Sequence, residues 1–391
     1  MASIIYVTRD IERAMGKTPG GDYHIITNKS PYSESIQKQY PNHVLLIDSA
    51  KALDTYELLM KPEVQEIISK FNAQVLVFKN TIHIEELCKE KGWELLNPSA
   101  ILSEKVENKI SQIDWLGDLN NLLPNHKIVV VNNLKWEKKP FILQWSHGHT
   151  GDGTILIPNE KDLEIYKEKF PHREARVTDF IKGPMFTVNI VVSDKNILLG
   201  NISYQITGML PFTENAFSTI GNDWSVPHTI LTEAHIVELE NIAKKVAKKM
   251  QGGGWRGLFG IDVIYDEEKD SMHLIEINAR QPASTTYESE LQSKTHLEGL
   301  TTFEAHLHTL LGSKISNPII QINDGAQILQ RVTSIIKKVD DKKLKEAGYN
   351  VINYSNDKIN ADLCRIQSPL GIMETHNKFN KRGKEILELL G

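Results

Sequence analysis

The sequence predicts a multidomain protein that combines the α/β and α+β classes. Its 391 residues are too many for one typical hydrophobic core. In the first hundred residues short apolar strands alternate with helical patterns, which is typical of a parallel βαβ sheet. Later strand patterns follow one another closely, which indicates antiparallel pairing. We therefore expect an N-terminal α/β domain over residues 1–102, a larger domain over 103–312 and a small C-terminal lid subdomain over 313–391.

Composition excludes several classes of function. The net charge of −5 argues against nucleic acid as the main partner, because a phosphate-binding surface would be basic. No uncharged apolar run is long enough to span a bilayer, and the N-terminus runs directly into a strand-like stretch rather than a signal peptide. Only two cysteines occur, Cys88 and Cys364, and inert thiols in a reducing compartment explain them. We expect a cytoplasmic protein without membrane contact. A homodimer is one alternative for its oligomeric state.

Three stretches of the second domain have a clear pattern. A helical pattern covers Ser103–Leu123, with one apolar stripe and with Ser103 as the expected N-cap. A second amphipathic helix is predicted over Thr232–Met250, and the glycines at 252–254 should end it. Between them, residues 208–227 read as a long irregular loop, and such loops in compact domains are often functional.

A glycine-rich loop at residues 146–154 separates two predicted strands. Its glycines would let a polyphosphate approach the backbone, and its threonines add hydroxyl donors. The alternative is an ordinary hairpin turn, and the loop is not a Walker P-loop because no Lys-Ser/Thr and helix follow it. His147 and His149 have the spacing of paired ligands, but no third ligand is near, so we interpret them as loop residues. The candidate phosphate-binding residues are Gly148, Thr150, Gly151, Gly153 and Thr154.

An acidic hairpin at residues 258–280 carries the strongest signal. Both flanks alternate apolar and polar residues, so pairing them places Asp262 near Glu276, with Asn278 on the same face and Arg280 beside them. Like charges opposite each other destabilise a sheet unless a cation binds them, and hard oxygen ligands suit Mg²⁺, with Mn²⁺ as a substitute. The alternative is that the carboxylates are exposed strand residues paired with lysines.

In order along the chain, these motifs resemble those of the ATP-grasp superfamily, which includes biotin carboxylases and D-alanine–D-alanine ligases. The stretches Phe259–Val263 and Leu274–Arg280 look like the metal-binding signature of that family. The resemblance covers about residues 103–311 and implies an ATP-grasp fold preceded by an α/β domain. It also implies that Asp262, Glu276 and Asn278 hold Mg²⁺ and that Arg280 steadies the reacting substrate.

The same resemblance implies an ATP site. Lys109 matches a lysine that contacts phosphate, and residues 177–183 match the hinge that binds adenine, with Asp179 and Ile181 as contributors. One position departs from the family pattern, since Gln144 stands where many members have a second phosphate-binding lysine. Glutamine can donate a hydrogen bond to a phosphate but carries no charge.

The function that these residues imply is an ATP-dependent ligase. It would join a small carboxylic acid to an amine, for example an amino acid or peptide, through an acyl phosphate. Two alternatives stay open: a bicarbonate-activating enzyme similar to biotin carboxylase, and a nucleotide-binding regulatory module without turnover. Arg331, on a predicted strand over 326–332, is a further candidate for binding a substrate carboxylate, although one arginine on such a strand is more often an ordinary surface residue.

Overall fold

The computed structural model describes residues 3–146, 153–354 and 356–390. Most strands belong to three sheets, and a two-stranded ribbon lies near the C-terminus. None of the described helices combines the length and the apolar character that a membrane span requires.

The N-terminal sheet is parallel, as the alternation of strands and helices predicts. Its strands pair in the order β3-β2-β1-β4. Strand β1 is buried along its whole length because helices cover both faces of the sheet. The elements are β1 (Ile4–Thr8), β2 (Tyr23–Asn28), α1 (Pro31–Gln39), β3 (Val44–Ile47), α2 (Thr55–Leu59), α3 (Pro62–Phe71), β4 (Gln74–Val77) and α4 (Ile82–Lys91), with a 3₁₀ turn at Ile11–Ala14.

The segment after this sheet contains two short helices instead of the single helix predicted over 103–123. They are α5 (Ala100–Glu107) and α6 (Ser111–Leu116), followed by a 3₁₀ turn at Gly117–Leu122. Asn108 has an extended backbone, and its Oδ1 accepts from the N–H groups of Ile110 and Ser111, at 2.9 and 3.2 Å. An asparagine side chain competes with the helical backbone in this way and starts a new helix.

Ser103 is also not an N-cap, because it lies inside α5. Its Oγ donates to the carbonyl oxygen of Ala279 at 2.7 Å and so ties α5 to the segment that follows the acidic hairpin. The break between α5 and α6 therefore places Lys109 in a turn that is fixed from both sides.

A four-stranded antiparallel sheet follows, in the order β5-β8-β6-β7. Strands β6 and β7 form the predicted hairpin around the glycine-rich loop, whose residues 147–152 lie outside the described ranges. The elements are β5 (His126–Val130), β6 (Phe141–Gln144), β7 (Thr154–Ile157), α7 (Glu160–Lys169) and β8 (Glu174–Asp179), with a 3₁₀ turn at Val131–Asn133.

The largest sheet has eight strands in the order β13-β12-β9-β10-β11-β14-β16-β15, and all of its pairs are antiparallel. Its strands come from both sides of residue 312, the predicted end of the second domain. Strands of the predicted C-terminal subdomain therefore extend this sheet. Its strands are β9 (Met185–Val192), β10 (Ile197–Thr207), β11 (Thr219–Asp223), β12 (Gly257–Asp266), β13 (Ser271–Asn278), β14 (Ala326–Arg331), β15 (Asn350–Asn353) and β16 (Asp362–Ser368).

Strand β11 corrects the prediction that residues 208–227 are irregular throughout. The strand is short and contains Gly221, where a Cβ atom would lie 2.2 Å from the carbonyl oxygen of Gln327 on β14. Glycine is needed there because the two backbones approach closely, but the same glycine hides the strand pattern in the sequence.

Helix α9 (Glu233–Gly252) closes the main core on one face of the large sheet. Thr232 caps it, and Leu239, Ile242, Ala243 and Val246 are buried against the strands, as the sequence predicts. Each fully buried leucine or isoleucine contributes about 1.5–3 kcal/mol. The remaining elements are α8 (Pro227–Ile230), α10 (Thr285–Ser293), α11 (Thr302–Leu310), α12 (Asp341–Glu346), β17 (Met373–Thr375), β18 (Lys378–Phe379) and α13 (Lys381–Leu390).

Candidate active site

One cavity of about 690 Å³ brings the predicted site residues together. It lies between the four-stranded and the eight-stranded sheets and reaches the loop after β4. Gly148, Thr150 and Gly151 lie outside the described residues, as do His147 and His149. The ten predicted site residues that the structure describes all line the cavity: Lys109, Gln144, Gly153, Thr154, Asp179, Ile181, Asp262, Glu276, Asn278 and Arg280.

The acidic hairpin has the register that the sequence predicts. Asp262 on β12 pairs directly with Glu276 on β13, and Gly260 pairs with Asn278. A bulge follows Asp262, where the register shifts before Val263. Because residues two apart share a face of the strand, Glu276 and Asn278 both face the cavity that Asp262 also lines.

Asp262 is buried and held by hydrogen bonds from three side chains. Its Oδ1 accepts from Thr187 Oγ1 at 2.7 Å and from Gln205 Nε2 at 2.5 Å, and its Oδ2 accepts from Asn278 Nδ2 at 3.0 Å. Burial, together with the negative charge of Glu276, raises the pKa of Asp262 to about 6. A carboxylate in this situation gains from a nearby cation.

Lys109 is the protein cation closest to this pair of carboxylates. Its Nζ lies 2.5 Å from Glu276 Oε1, and the side chain is only 7% exposed. The contact is a close ion pair, and Nζ itself is buried. Burial lowers the pKa of Lys109, and Glu276 only partly offsets that effect. An ammonium group has three N–H donors, so two of them remain for a ligand beside the contact with Glu276.

The donor set fits a hard divalent cation. Two carboxylates and one carboxamide converge, although the described residues contain no group of three or more His, Cys, Asp and Glu side chains placed to bind a metal. Asn278 now donates to Asp262, and rotation of its carboxamide would present the oxygen instead. A Mg²⁺ ion here would also take over the role of Lys109 in neutralising Glu276.

Arg280 belongs to a second charged cluster in the lining of the same cavity. Its Nη1 donates to Glu107 Oε1, and Glu107 Oε2 accepts from Lys79 Nζ at 2.5 Å. Burial would raise the pKa of Glu107, but Arg280 and Lys79 outweigh it and hold that pKa below its usual range. One carboxylate thus orients two cations, which leaves a net positive charge facing the cavity.

The hinge follows directly from strand β8. Asp179 ends the strand, its N–H donates to the carbonyl oxygen of Asn125, and its Oδ2 accepts from Asn125 Nδ2. Ile181 comes two residues later and is half buried. These contacts hold the hinge against the residue that precedes strand β5. Ile181 lies in the wall of the cavity.

Sequence reasoning missed several residues that line the cavity. Arg176, Thr187 and Gln205 come from β8, β9 and β10, and Lys79 comes from the loop after β4. Alternation along β8 gives a local signal for Arg176, since it shares a face with Thr178. Lys79 had no local signal, because only tertiary packing brings the loop after β4 to the site.

Arg331 does not belong to this set. It lies on β14, its Nη1 donates to the carbonyl oxygen of Asn360 at 3.1 Å, and its Nη2 lies 4.0 Å from Asp362 Oδ1. It is not among the described residues that line the cavity. The structure therefore gives no support to the idea that Arg331 binds a substrate carboxylate in this cleft.

Comparisons with known proteins agree with this arrangement. Residues 106–284 match the family model of the ATP-grasp domain. None of the curated proteins compared matches the chain. Among solved structures, N5-carboxyaminoimidazole synthetase from Staphylococcus aureus, complexed with ADP, superimposes with a TM-score of 0.66 at 14% identity, covering 100% of this chain and 97% of that one.

Two further structures are similar over most of this chain. Carboxyaminoimidazole ribonucleotide synthase from Aspergillus clavatus, complexed with ATP, has a TM-score of 0.66 at 16% identity and covers 99% of this chain and 97% of its own. Pyruvate carboxylase from Rhizobium etli has a TM-score of 0.64 at 14% identity, over 94% of this chain and 36% of its own. Residues 106–284 thus match the ATP-grasp domain, and the chain as a whole shares the fold of these structures.

Proposed function

We propose that this protein is an ADP-forming ligase that joins a small carboxylic acid to an amine. The proposal depends on one observation: two groups of charged side chains line the same cavity. The first group is the carboxylate pair Asp262 and Glu276 with Lys109, and the second is Arg280, held by Glu107. The first group suits the phosphates of a nucleotide with its metal ion, and the second suits an anionic acyl group.

The chemistry follows from the weakness of a carboxylate as an electrophile. Transfer of the terminal phosphoryl group of ATP to the acid makes an acyl phosphate with a good leaving group, and an amine can then displace phosphate. Such a transfer needs positioning and charge neutralisation rather than a covalent protein nucleophile. Mg²⁺, when bound by Asp262, Glu276 and Asn278, would supply neutralisation of the phosphate charge.

The residues of the chain divide the remaining work. Lys109 would donate to the nucleotide phosphates, and the hinge at Asp179 and Ile181 would hold the adenine. Arg280 would bind the acyl oxygen through its planar guanidinium group and stabilise the negative charge that develops there during attack by the amine. The walls of the cavity would limit the access of water to the acyl phosphate.

A second candidate substrate for the same chemistry is bicarbonate. The names of the three structures compared above describe two carboxyaminoimidazole-forming enzymes and a carboxylase. Bicarbonate is a carboxylic acid in this scheme, and its attack by an amine also forms a C–N bond. Sequence identities of 14–16% show only that the fold is shared. The acid and the amine must therefore be identified by assay.

The test is ADP release by the purified protein with MgATP. Amino acids, short peptides and 5-aminoimidazole ribonucleotide are offered as amines, each with and without bicarbonate. Amine-dependent release without bicarbonate supports the carboxylic acid–amine ligase, and release that needs both bicarbonate and an amine supports the second candidate. Release that needs bicarbonate and biotin would favour an enzyme similar to biotin carboxylase. Nucleotide binding without any turnover would contradict all three and favour a regulatory module.

A further inference from the structure

Arg176 is a buried cation in the cavity without a carboxylate partner. Its side chain is on β8, the residue is 1% exposed, and none of the described carboxylate oxygens lies within ion-pair distance of it. Leaving a charge buried and unpaired is costly, so a folded chain normally gives such a group a counter-ion. Glu276 lies near enough to raise the pKa of Arg176, but it is paired with Lys109 and is not within ion-pair distance of the guanidinium group. The position of Arg176 therefore points to a further negative charge, supplied by a ligand.

Neutral oxygens hold the guanidinium group on three sides. Nε donates to Gln144 Oε1 at 2.9 Å, Nη1 donates to Gln112 Oε1 at 3.0 Å, and Nη2 donates to the carbonyl oxygen of Ile275 at 3.2 Å. These bonds fix the group in place but do not cancel its charge. A guanidinium group has five N–H donors, so two remain for a ligand.

The two glutamines are themselves oriented. Gln112 Nε2 donates to the carbonyl oxygen of Val106 at 2.8 Å, which leaves its Oε1 for Arg176. Gln144 Nε2 lies 3.4 Å from Thr154 Oγ1, at the exit of the glycine-rich loop. Strand pairing brings Gln144 directly opposite Arg176 on one side and opposite Thr154 on the other.

The location also matches one part of a nucleotide. Arg176 lies on the strand that leads into the hinge at Asp179 and donates to the backbone of the acidic hairpin at Ile275, beside Glu276. It thus lies between the residues proposed to hold adenine and those proposed to hold the metal ion. The phosphates of a nucleoside diphosphate or triphosphate connect these two places.

We propose that Arg176 is a phosphate-binding residue of the nucleotide site, held in place by Gln112 and Gln144. This inference rests on the proposed nucleotide site and adds a residue to it. Burial lowers the pKa of Arg176 to about 10, so the group stays charged at neutral pH. Since Gln144 is neutral, Arg176 brings to this wall of the cavity a positive charge that strand β6 does not provide.

The test compares the affinities for ADP and adenosine, measured by isothermal titration calorimetry with Mg²⁺ present. Arg176→Gln should weaken ADP binding about 10- to 100-fold, as expected for one charge-assisted contact, and leave adenosine binding within about twofold. The control is Arg256→Gln, which removes an exposed arginine that pairs with Asp194 on the surface. ADP binding that stays within about threefold of the wild type, or an equal loss for adenosine, would overturn the inference.

Moving the charge gives a second and independent measurement. Because the two side chains touch, the double variant Gln144→Lys with Arg176→Gln relocates the cation by one residue position across the strand pair. It should recover most of the preference for ADP over adenosine. If Arg176→Gln does not fold, as judged by thermal melting, this double variant decides: a preference near that of the wild type supports the inference, and loss of the preference contradicts it. A wild-type protein that binds no MgADP would instead refute the proposed function itself.

Discussion

At the scale of single residues, the site is defined by which charges have partners. Asp262 accepts three hydrogen bonds, Glu276 depends on one ion pair with Lys109, and Arg280 depends on Glu107. Of the proposed metal ligands, Glu276 can thus change partner at least cost, because its side chain is also 31% exposed. A metal ion would replace Lys109 beside it and release that ammonium group toward the phosphates.

Glu276→Gln tests this exchange. We expect the Mg²⁺ concentration for half-maximal ADP release to rise at least about tenfold, because a neutral amide is a weaker ligand than a carboxylate. The control is Glu268→Gln, in the exposed turn of the same hairpin, which should titrate like the wild type. Equal Mg²⁺ dependence in Glu276→Gln and the wild type would show that Glu276 is not a ligand.

Arg280→Lys tests the proposed binding of the acyl group. Lysine keeps the charge but loses the planar pair of donors, so kcat should fall about 10²-fold whereas the affinity for ADP stays unchanged. Rate measurements at saturating substrates and calorimetry with ADP separate the two effects. A loss of ADP affinity with unchanged kcat would place Arg280 at the nucleotide instead.

The residues of this site were predictable to different degrees for physical reasons. Asp262, Glu276 and Asn278 could be found because strand alternation is local and fixes which side chains share a face. Lys109 was found by resemblance, but its setting was wrong, since the Asn108 side chain accepts from the backbone N–H groups that follow it and breaks the predicted helix. Lys79 could not be found, because the packing of distant segments alone brings it to Glu107.

At the scale of elements, the start of β12 depends on a close approach to α11. Gly257 has a φ of +87°, and a Cβ atom there would lie 2.7 Å from His306 Nδ1 and 3.0 Å from Leu310 Cδ2. His306 Nδ1 also accepts from the N–H of Leu258 at 3.0 Å. This contact sets where the strand that carries Asp262 begins, five residues before the carboxylate.

Gly257→Ala should therefore destabilise the protein by about 1–3 kcal/mol, because it combines backbone strain with overpacking. The matched control is Gly252→Ala at the end of α9, where a Cβ atom would meet no described atom within 4 Å. That change should be neutral or slightly stabilising, since alanine favours helix. Urea unfolding followed by tryptophan fluorescence compares the two, and equal midpoints would contradict the prediction.

His306 should make the same contact sensitive to pH. Burial lowers the pKa of His306 to about 3, below its value of about 6.5 in an unfolded chain. Between these values the unfolded state binds the proton and the folded state does not, so stability falls as the pH decreases from about 6.5. The contribution lost at pH 5 is about 2 kcal/mol.

His306→Gln isolates that contribution from other titrating groups. Glutamine retains an acceptor for the N–H of Leu258 but does not titrate. The urea midpoint of the variant should therefore fall less than that of the wild type between pH 7 and pH 5. Parallel decreases in the two proteins would show that His306 does not control this part of the acid sensitivity.

At the scale of the whole molecule, the described segments meet through apolar contacts of Phe303 and Leu307 with the N-terminal sheet and through a few polar contacts. Tyr6 in the N-terminal sheet donates to Gln281 Oε1 at 2.8 Å, and Gln281 Nε2 donates to the carbonyl oxygen of Arg13. Both contacts hold the segment just after Arg280 against the N-terminal sheet and the 3₁₀ turn beside it. The sequence predicted a parallel sheet followed by antiparallel strands but not these contacts, because their partners are more than 250 positions apart.

A second polar contact joins the two ends of the chain. Tyr354, after β15, donates its hydroxyl to Glu12 Oε1 at 2.7 Å and accepts from Arg365 Nε at 3.2 Å. Glu12 and Arg365 are 7% and 6% exposed, so the tyrosine hydroxyl links two buried groups of opposite charge. The cluster lies outside the described lining of the cavity and acts on stability rather than on chemistry.

Tyr354→Phe removes the hydroxyl and leaves both charged groups with one partner fewer. Hydrogen bonds to charged groups each contribute about 1.5–3 kcal/mol. We therefore expect the free energy of unfolding to decrease by an amount near that range, which lowers the urea midpoint. Affinity for ADP in native buffer should not change, since no contact with the cavity is altered. The control is Tyr56→Phe, at an exposed tyrosine of α2. Unchanged stability in Tyr354→Phe would mean that Glu12 and Arg365 pair directly once the hydroxyl is gone, and that the tyrosine does not hold the two ends of the chain together.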